Sequence, residues 1–216
     1  MAGVSTPLAQ QTIVTLDLEG VLVPEIWIAV AERTGIEALR RTTRDEPDYD
    51  VLMRDRLDLL DRHGLTLSSI QDVIAGLGPL PGAADFVGEL RQQGQLVILS
   101  DTFEEFARPL MRQLGWPTIL CHRLVVEADR VVGYRLRMAD PKRAAVEAFQ
   151  SLAYRVVAAG DSYNDTSMLL AADAGFLFHA PDNVRTEFPQ LPAFDEYDDL
   201  LEAVTAARRD EAPPAS

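Results

Sequence analysis

The 216-residue sequence contains one lysine, Lys142, one cysteine, Cys121, and only 20 basic side chains against 34 acidic ones. A single cysteine excludes an intramolecular disulfide, so nothing in the sequence requires an oxidising compartment. The net charge of −14 argues against nucleic acid or an anionic membrane surface as the main partner, because both attract basic patches. No apolar run approaches the roughly 20 residues of a membrane-spanning helix. We therefore expect a cytoplasmic protein with neither kind of partner.

The hydrophobic fraction of 47% is typical of a globular chain with a substantial core. Small and polar residues dominate both ends, which predicts a mobile extension over residues 1–11 and a disordered tail over residues 209–216. Between these ends, residues 12–16 form a short β-branched run that predicts a buried strand.

The pattern changes twice after this first strand. From Pro24 to about residue 80 it is helical, with Gly35 ending the first helix, Asp50 capping the second and Ser68 or Ser69 opening the third. From residue 81 onwards, strands alternate with helices, which is typical of a parallel sheet covered by helices. We predict an α/β, Rossmann-like core formed by residues 12–23 and 81–208, with a helical cap inserted over residues 24–80.

Polar side chains follow three of the predicted buried strands. The three groups are Asp17 with Glu19, Ser100 with Asp101, and Asp161 with Asn164 and Asp165. Ligands of open α/β sheets bind at the carboxyl ends of the strands, so these groups form one site if the three strands are neighbours. Clustered carboxylates are costly without a cation, and hard oxygen ligands favour Mg²⁺, which commonly binds a substrate phosphate as well. Lys142, at a predicted helix start, is a suitable point charge for that phosphate.

The order Asp-x-Glu, strand-Ser, Lys and Gly-Asp-x-x-x-Asp resembles the haloacid dehalogenase superfamily of phosphohydrolases. The resemblance implies that Asp17 attacks phosphorus and forms an aspartyl-phosphate, and that Glu19 exchanges protons with the leaving group and the acceptor. It also implies that Ser100 and Lys142 bind the phosphoryl oxygens, and that Asp101 and Asn164 belong to the substrate site. The implied Mg²⁺ ligands are the Asp17 carboxylate, the main-chain carbonyl of Glu19, Asp161 and, directly or from the second layer, Asp165.

The helical insertion resembles the cap of phosphoserine phosphatases. The resemblance implies that Glu25 meets the substrate ammonium and that Arg56 binds its carboxylate. A solvated helix face is the alternative interpretation of both residues. The segments DLEGVLVPEIW, ILSDTF and AAGDSYNDT most resemble bacterial phosphoserine phosphatases that also transfer phosphate to homoserine.

One residue departs from the wider superfamily, which has aspartate where this chain has Glu19. The longer glutamate side chain leads to the hypothesis that Glu19 favours an alcohol acceptor such as homoserine over water. The expected partners are therefore small molecules, phosphoserine and homoserine, and a homodimer is left open. Two alternatives remain: a phosphatase of another small phosphomonoester, or a catalytically inactive ligand-binding domain. The intact set Asp17, Ser100, Lys142 and Asp161 argues against the second alternative.

Overall fold

The computed structural model describes residues 10–42, 45–46 and 48–209. The predictions made for residues 1–9 and 210–216, at the two ends of the chain, lie outside the described residues. Within the described part of the chain, no helix is long and apolar enough to cross a membrane.

The described residues form an α/β fold, as predicted. The strands are β1 (Thr12–Leu16), β2 (Gln95–Phe103), β3 (Thr118–Glu127), β4 (Arg130–Arg135), β5 (Arg155–Gly160), β6 (Ala174–Phe178) and β7 (Ala193–Phe194). The helices are α1 (Ile26–Thr34), α2 (Tyr49–Arg62), α3 (Leu67–Ala75), α4 (Ala83–Gln93), α5 (Glu104–Gln113), α6 (Pro141–Ser151), α7 (Thr166–Ala171), α8 (Asp182–Glu187) and α9 (Tyr197–Arg208). Short 3₁₀ turns cover Glu37–Arg40 and Tyr163–Asp165.

The seven strands form one sheet in the order β4-β3-β2-β1-β5-β6-β7. All neighbouring pairs are parallel except β3 and β4, which form an antiparallel hairpin. The first strand lies at the centre, between β2 and β5, so the three strands that carry the polar groups are adjacent. The condition set by the sequence for a single site is therefore met.

The sheet divides the hydrophobic side chains into two clusters, as the alternation along β5 illustrates. Val156 and Ala158 belong to one cluster, with residues of α6, α7 and α8, whereas Val157 and Ala159 belong to the other. This alternation follows from the two-residue period of a strand, which places successive side chains on opposite faces. Because helices cover both faces, most residues of the central strands are buried.

The helices α1, α2 and α3 lie between β1 and α4 in the chain, and we call residues 24–80 the cap segment. Its buried side chains, including Val30, Leu39 and Met53, belong to the same hydrophobic cluster as Phe103 and Phe106 of the sheet region. The cap segment therefore packs directly on the core rather than forming a separate hydrophobic unit.

Several predicted boundaries hold and others are wrong. Gly35 ends α1 in the left-handed conformation, as expected of a glycine that follows a helix. Asp50 does not cap α2, because the Asp48 carboxylate accepts hydrogen bonds from the backbone N–H groups of residues 50 and 51. Likewise Thr66, not Ser68 or Ser69, caps α3. These caps belong to the same residue class as those predicted, and the error is in position alone.

Candidate active site

Asp17 directly follows β1, and its backbone continues the sheet through a 3.0 Å hydrogen bond from its N–H to the carbonyl of Ala159. The side chain is only 4% exposed. Burial, with the charge of Asp165 next in size, raises the pKa of the Asp17 carboxyl well above its ordinary value. A carboxylate in this position needs cationic partners to remain ionised.

Lys142 is one such partner. Its ammonium lies 2.9 Å from Asp17 and 2.7 Å from Asp165, and the side chain is 2% exposed. Burial opposes its charge, but these two carboxylates and Asp101 outweigh burial and hold the pKa of Lys142 well above its ordinary value. Lys142 lies in the first turn of α6, where a cation is disfavoured by the helix dipole, so the carboxylates determine its charge.

Asp165 connects α6 to the turn that follows β5. One carboxylate oxygen accepts the Lys142 hydrogen bond, and the other accepts the backbone N–H groups of Asp161 at 3.0 Å and Ser162 at 3.1 Å. A side chain on Gly160 would collide with the Asp165 carboxylate, so the end of β5 requires a glycine. This packing fixes the turn and orients Asp161 toward the sheet edge.

Asp17, Asp161 and Asp165 each offer a carboxylate oxygen to one shared position, with the three atoms within 4.8 Å of one another. We call these three residues and Lys142 the strand-end cluster. Burial, followed by repulsion from Asp165 and Glu25, raises the pKa of Asp161 to about 7. One lysine cannot neutralise three carboxylates, and an all-oxygen donor set suits a hard divalent cation such as Mg²⁺. The residues present thus fit the predicted metal.

Gly20 allows Asp161 to reach this position. Its φ of +79° is in the left-handed region, and a Cβ there would collide with the Asp161 carboxylate. The backbone N–H of Gly20 also donates to the carbonyl of Val23, which closes a tight turn directly after Glu19. The glycine therefore serves both the turn and the close approach of the carboxylate.

Glu19 lies two residues after Asp17 and contacts the start of α1. Its Oε2 accepts the backbone N–H of Ile26 at 2.9 Å, and Thr102 donates a further side-chain hydrogen bond. Burial, with the charge of Glu25 next, raises the pKa of Glu19 to about 7. A carboxyl group with such a pKa can both donate and accept a proton near neutral pH.

The Ser-Asp-Thr group lies inside β2 rather than after it, because the strand continues to Phe103. The pairing with β3 shifts register between Leu99 and Phe103, so this part of the strand is irregular. Ser100 is 3% exposed, and its hydroxyl accepts the backbone N–H of Thr102 at 3.2 Å. The prediction that Ser100 and Asp101 follow the strand is therefore wrong, although Asp101 does lie beside Lys142.

Asp101 and Asn164 are joined directly. The Asn164 side-chain amide donates to Asp101 at 3.0 Å, and the Lys142 ammonium lies 3.6 Å from the same carboxylate oxygen. Burial opposes ionisation of Asp101, but hydrogen bonds from His122 and Asn164, together with the Lys142 charge, hold its pKa well below the ordinary value. Asp101 is therefore a permanent anion beside the strand-end cluster.

The two predicted residues of the cap segment differ in exposure. Glu25 is exposed and immediately precedes α1, without a capping hydrogen bond from its side chain. Arg56, on α2, is 7% exposed, and its guanidinium lies 4.5 Å from the centroid of the Trp27 ring. One guanidinium nitrogen donates to the carbonyl of Arg41 at 2.8 Å, whereas the buried Nε has no partner among the described residues.

Arg56 is not a solvated side chain, so the alternative interpretation of this residue is wrong. Burial lowers its pKa to about 10, and the groups that favour its charge are Tyr49, Glu19 and Glu25. The cap segment thus directs a buried cation toward the same region as Glu19. The unpaired Nε leaves one strong donor for a ligand, since a buried unpaired donor is otherwise costly.

Three residues near this region were missed by sequence reasoning. Thr102 binds Glu19, Tyr49 lies near Arg56, and His122 contacts Asp101. Thr102 was within reach, because it follows Ser100 and Asp101 in the same motif. Tyr49 and His122 carry no local signal, since only the packing of α2 and β3 brings them to the site.

The comparisons with known proteins agree with this geometry. Residues 12–173 match the family model of the haloacid dehalogenase-like hydrolases. A phosphoserine phosphatase of Pseudomonas syringae pv. tomato is 66% identical over 200 residues, which cover 92% of this chain and 84% of the relative. The phosphoserine phosphatase ThrH of Pseudomonas aeruginosa is 68% identical over 189 residues, which cover 87% and 92%.

The fold is also found among solved structures. A crystal structure of phosphoserine phosphatase from T. onnurineus superposes with a TM-score of 0.66 at 25% identity, and the match covers 92% of this chain and 96% of that one. The family match spans most of the described chain and includes β1, β2, α6 and β5, which carry the strand-end cluster and Ser100. The chain therefore belongs to the haloacid dehalogenase-like hydrolases.

Proposed function

We propose that the chain is a Mg²⁺-dependent phosphoserine phosphatase that also transfers the phosphoryl group to homoserine. Two features of the site together carry the proposal. Asp17 is paired with Lys142 inside a cluster of carboxylates. Arg56 is buried and its Nε has no partner among the described residues. The first part suits a phosphoryl group, and the second suits an amino acid carboxylate. The names of the two Pseudomonas relatives support the same substrate.

In the first half of the proposed reaction, an oxygen of Asp17 attacks phosphorus and the bond from phosphorus to the serine oxygen breaks. Glu19, whose pKa of about 7 lets it be protonated near neutrality, gives its proton to the leaving serine oxygen. Lys142 and Ser100 bind the phosphoryl oxygens. In the second half, Glu19 takes a proton from the acceptor, whose oxygen attacks phosphorus and releases Asp17.

Asp17, Asp161, Asp165 and the Glu19 carbonyl would hold the metal. When bound, Mg²⁺ supplies charge that offsets the carboxylates and the equatorial phosphoryl oxygens. Glu25 and Arg56 would bind the ammonium and carboxylate of the substrate, and residues 24–80 would act as the specificity cap. Asp17 is 4% exposed, and opening of the cap segment would admit the substrate and gate turnover.

The test is phosphate release from O-phosphoserine, O-phosphothreonine and p-nitrophenyl phosphate, with Mg²⁺ and with a chelator. We expect Mg²⁺-dependent release with O-phosphoserine preferred. A preference for another ester would contradict the substrate assignment, and full activity in the chelator would contradict the metal.

Transfer is tested by adding homoserine and measuring O-phosphohomoserine together with free phosphate. Glu19→Asp shortens the proton-transferring side chain by one methylene, so we expect the ratio of transfer to hydrolysis to fall. An unchanged ratio would mean that the length of Glu19 does not select the acceptor. Absence of O-phosphohomoserine with the wild-type protein would reject the transfer activity itself.

A further inference from the structure

Tyr197 is the first residue of α9 and lies beyond residue 173, where the match to the family model ends. Its side chain is half-buried, and its hydroxyl donates a 2.6 Å hydrogen bond to the carbonyl of Val21, 176 positions earlier in the chain. Its ring packs against Phe86 of α4 and Phe178 of β6, with centroids 5.1 and 4.7 Å away. Core packing explains the ring but not the hydroxyl, because phenylalanine would fill the same space.

The carbonyl of Val21 belongs to the turn between β1 and α1, which includes Glu19. Backbone hydrogen bonds of 2.8 to 3.0 Å to the carbonyls of Leu18 and Val23 close this turn. The Val21 carbonyl accepts instead from the Tyr197 hydroxyl. The turn is thus closed by its own backbone and attached by this side chain to α9, a distant part of the core.

His179 also lies near this turn. Its Nδ1 is 3.4 Å from the carbonyl of Gly20, whereas its Nε2 is 2.9 Å from the carbonyl of Asp195. The bond from Tyr197 to Val21, at 2.6 Å, is much shorter than the contact of His179 with the turn. We therefore assign the attachment of the turn to Tyr197.

Tyr197 also touches the chain where it returns from the cap segment. Gly82 precedes α4 with a φ of +86°, and a Cβ there would lie 3.0 Å from the Tyr197 ring. The two connections are joined by a 2.9 Å hydrogen bond from the N–H of Leu80 to the carbonyl of Leu22. Tyr197 thus contacts both connections between the cap segment and the core, one through its hydroxyl and the other through its ring.

This attachment matters because Glu19 lies between a fixed element and a segment proposed to move. Asp17, two residues earlier, is bonded to the sheet, whereas the Glu19 carboxylate accepts the N–H of Ile26, the first residue of α1. Opening of the cap segment pulls on the backbone that joins Glu19 to α1. An attachment at Val21, between the two, keeps that displacement from reaching Glu19. Alignment of a proton donor with its acceptor is a condition of general acid catalysis.

We propose that Tyr197 is a positioning residue whose hydroxyl, by holding the Val21 carbonyl, keeps Glu19 aligned for proton transfer to the leaving oxygen. The inference rests on the proposed role of Glu19 as the proton donor. It adds to that role a residue of α9, outside the family match and outside the sequence motifs.

The test compares phenyl phosphate with p-nitrophenyl phosphate, two esters of similar size that carry no amino acid group. Phenolate needs a proton donor to leave, whereas p-nitrophenolate is a weaker base and leaves without one. The ratio kcat/KM reports the steps up to this departure. Tyr197→Phe removes the hydroxyl and keeps the ring.

A well-placed proton donor contributes about a hundredfold or more, so we expect its partial misalignment to lower kcat/KM for phenyl phosphate about tenfold. For p-nitrophenyl phosphate we expect a loss of less than about twofold. Tyr154→Phe is the matched control, at a half-buried tyrosine directly before β5 and thus at the opposite end of that strand from the strand-end cluster. It should change neither ester. Equal losses for the two esters in Tyr197→Phe, or no loss, would overturn the proposal.

Two further measurements separate positioning from a merely structural role. Thermal unfolding gives the folded fraction of each variant, and rates are referred to that fraction, so a loss of folding does not imitate a difference between esters. In a Glu19→Gln background the proton donor is absent, so adding Tyr197→Phe should lower kcat/KM for phenyl phosphate by less than about twofold. A full tenfold loss in that background would contradict an action through Glu19.

Glu19→Gln alone separates this inference from the proposed function. If it lowers kcat/KM far more for phenyl phosphate than for p-nitrophenyl phosphate, and Tyr197→Phe does not, only this inference is wrong. If Glu19→Gln lowers both equally, Glu19 is not the proton donor, and the inference falls with that role. If the difference between esters depends on Tyr197 but O-phosphoserine is not hydrolysed, the inference stands and the proposed substrate is wrong.

Discussion

The strand-end cluster and the cap segment hold their charged groups in different ways. In the cluster, the Asp165 carboxylate accepts one lysine and two backbone hydrogen bonds, and Asp17 is fixed by the sheet. In the cap segment, Glu25 is exposed and Arg56 keeps a buried Nε unpaired. The carboxylates of the cluster are thus held by contacts within the protein, whereas the two groups proposed to recognise the substrate have fewer such contacts.

This difference separates reactivity from specificity. The ends of neighbouring parallel strands hold their side chains close together on a rigid sheet. This suits a reaction in which the nucleophile and the substrate must be aligned. A helical segment packed on that edge can change its side chains without disturbing the sheet. Variants of the cluster should therefore affect all substrates alike, whereas variants of the cap segment should affect them unequally.

The largest expected effect comes from Asp17→Asn. The amide is too weak a nucleophile to form the phosphorylated intermediate, so we expect kcat to fall at least about a thousandfold for every ester tested. Stopped-time phosphate assays measure this loss, and thermal unfolding serves as the control. The variant should unfold at or above the wild-type temperature without metal, because one crowded carboxylate is removed. Substantial remaining activity would reject Asp17 as the nucleophile.

Arg56→Ala tests whether the cap segment determines which substrate is used. We expect kcat/KM for O-phosphoserine to fall about a hundredfold, since the substrate carboxylate loses both the guanidinium charge and the hydrogen bond from Nε. p-Nitrophenyl phosphate has no carboxylate and should change by less than about threefold. Arg62→Ala removes an exposed arginine of the same helix and is the matched control. Equal losses for both esters would mean that Arg56 does not bind the carboxylate.

Gly20→Ala tests how closely the metal site is built. The new Cβ collides with Asp161, so we expect the Mg²⁺ concentration for half-maximal activity to rise about tenfold. Gly35→Ala is a matched control, because Gly35 has a similar φ of +72° but nothing within 4 Å of its Cβ position. A Mg²⁺ dependence that is unchanged, or shifted equally by both variants, would contradict the role given to Gly20.

The smallest effect is on stability against pH in the metal-free protein. Folding raises the pKa values of Glu19 and Asp161 from 4.5 and 3.8 to about 7. Between pH 5 and 8 the folded state therefore binds more protons than the unfolded state, and stability falls as pH rises. We expect Tm to drop by about 4 °C or more over this range.

Added Mg²⁺ should reverse this fall, because the cation binds the folded carboxylates and compensates their charge. Groups whose pKa is lowered by folding, such as Asp101, titrate below this range and do not obscure the result. Differential scanning calorimetry with and without metal makes the measurement. A Tm that is constant or rises from pH 5 to 8 without metal would show that folding does not raise the pKa values of Glu19 and Asp161.

Much of the fold was predictable from local patterns. The bounds of β1 agree with the sequence prediction, since a run of β-branched residues is a local property. The 3₁₀ turn at Glu37–Arg40, the short helix α8 and the two-residue strand β7 were missed. Elements this short bury too little surface to leave a periodic pattern, and they form because the neighbouring elements are already in place.

The sequence by itself determined which charged residues come together at one edge of the sheet: Asp17, Asp161, Asp165 and the only lysine of the chain. This was possible because strand ends in a parallel sheet converge wherever the strands are neighbours. The tertiary structure alone decided that Arg56 is buried with an unpaired nitrogen and that His122 reaches Asp101. Both depend on how distant segments pack, so burial and pairing have no counterpart in the local sequence.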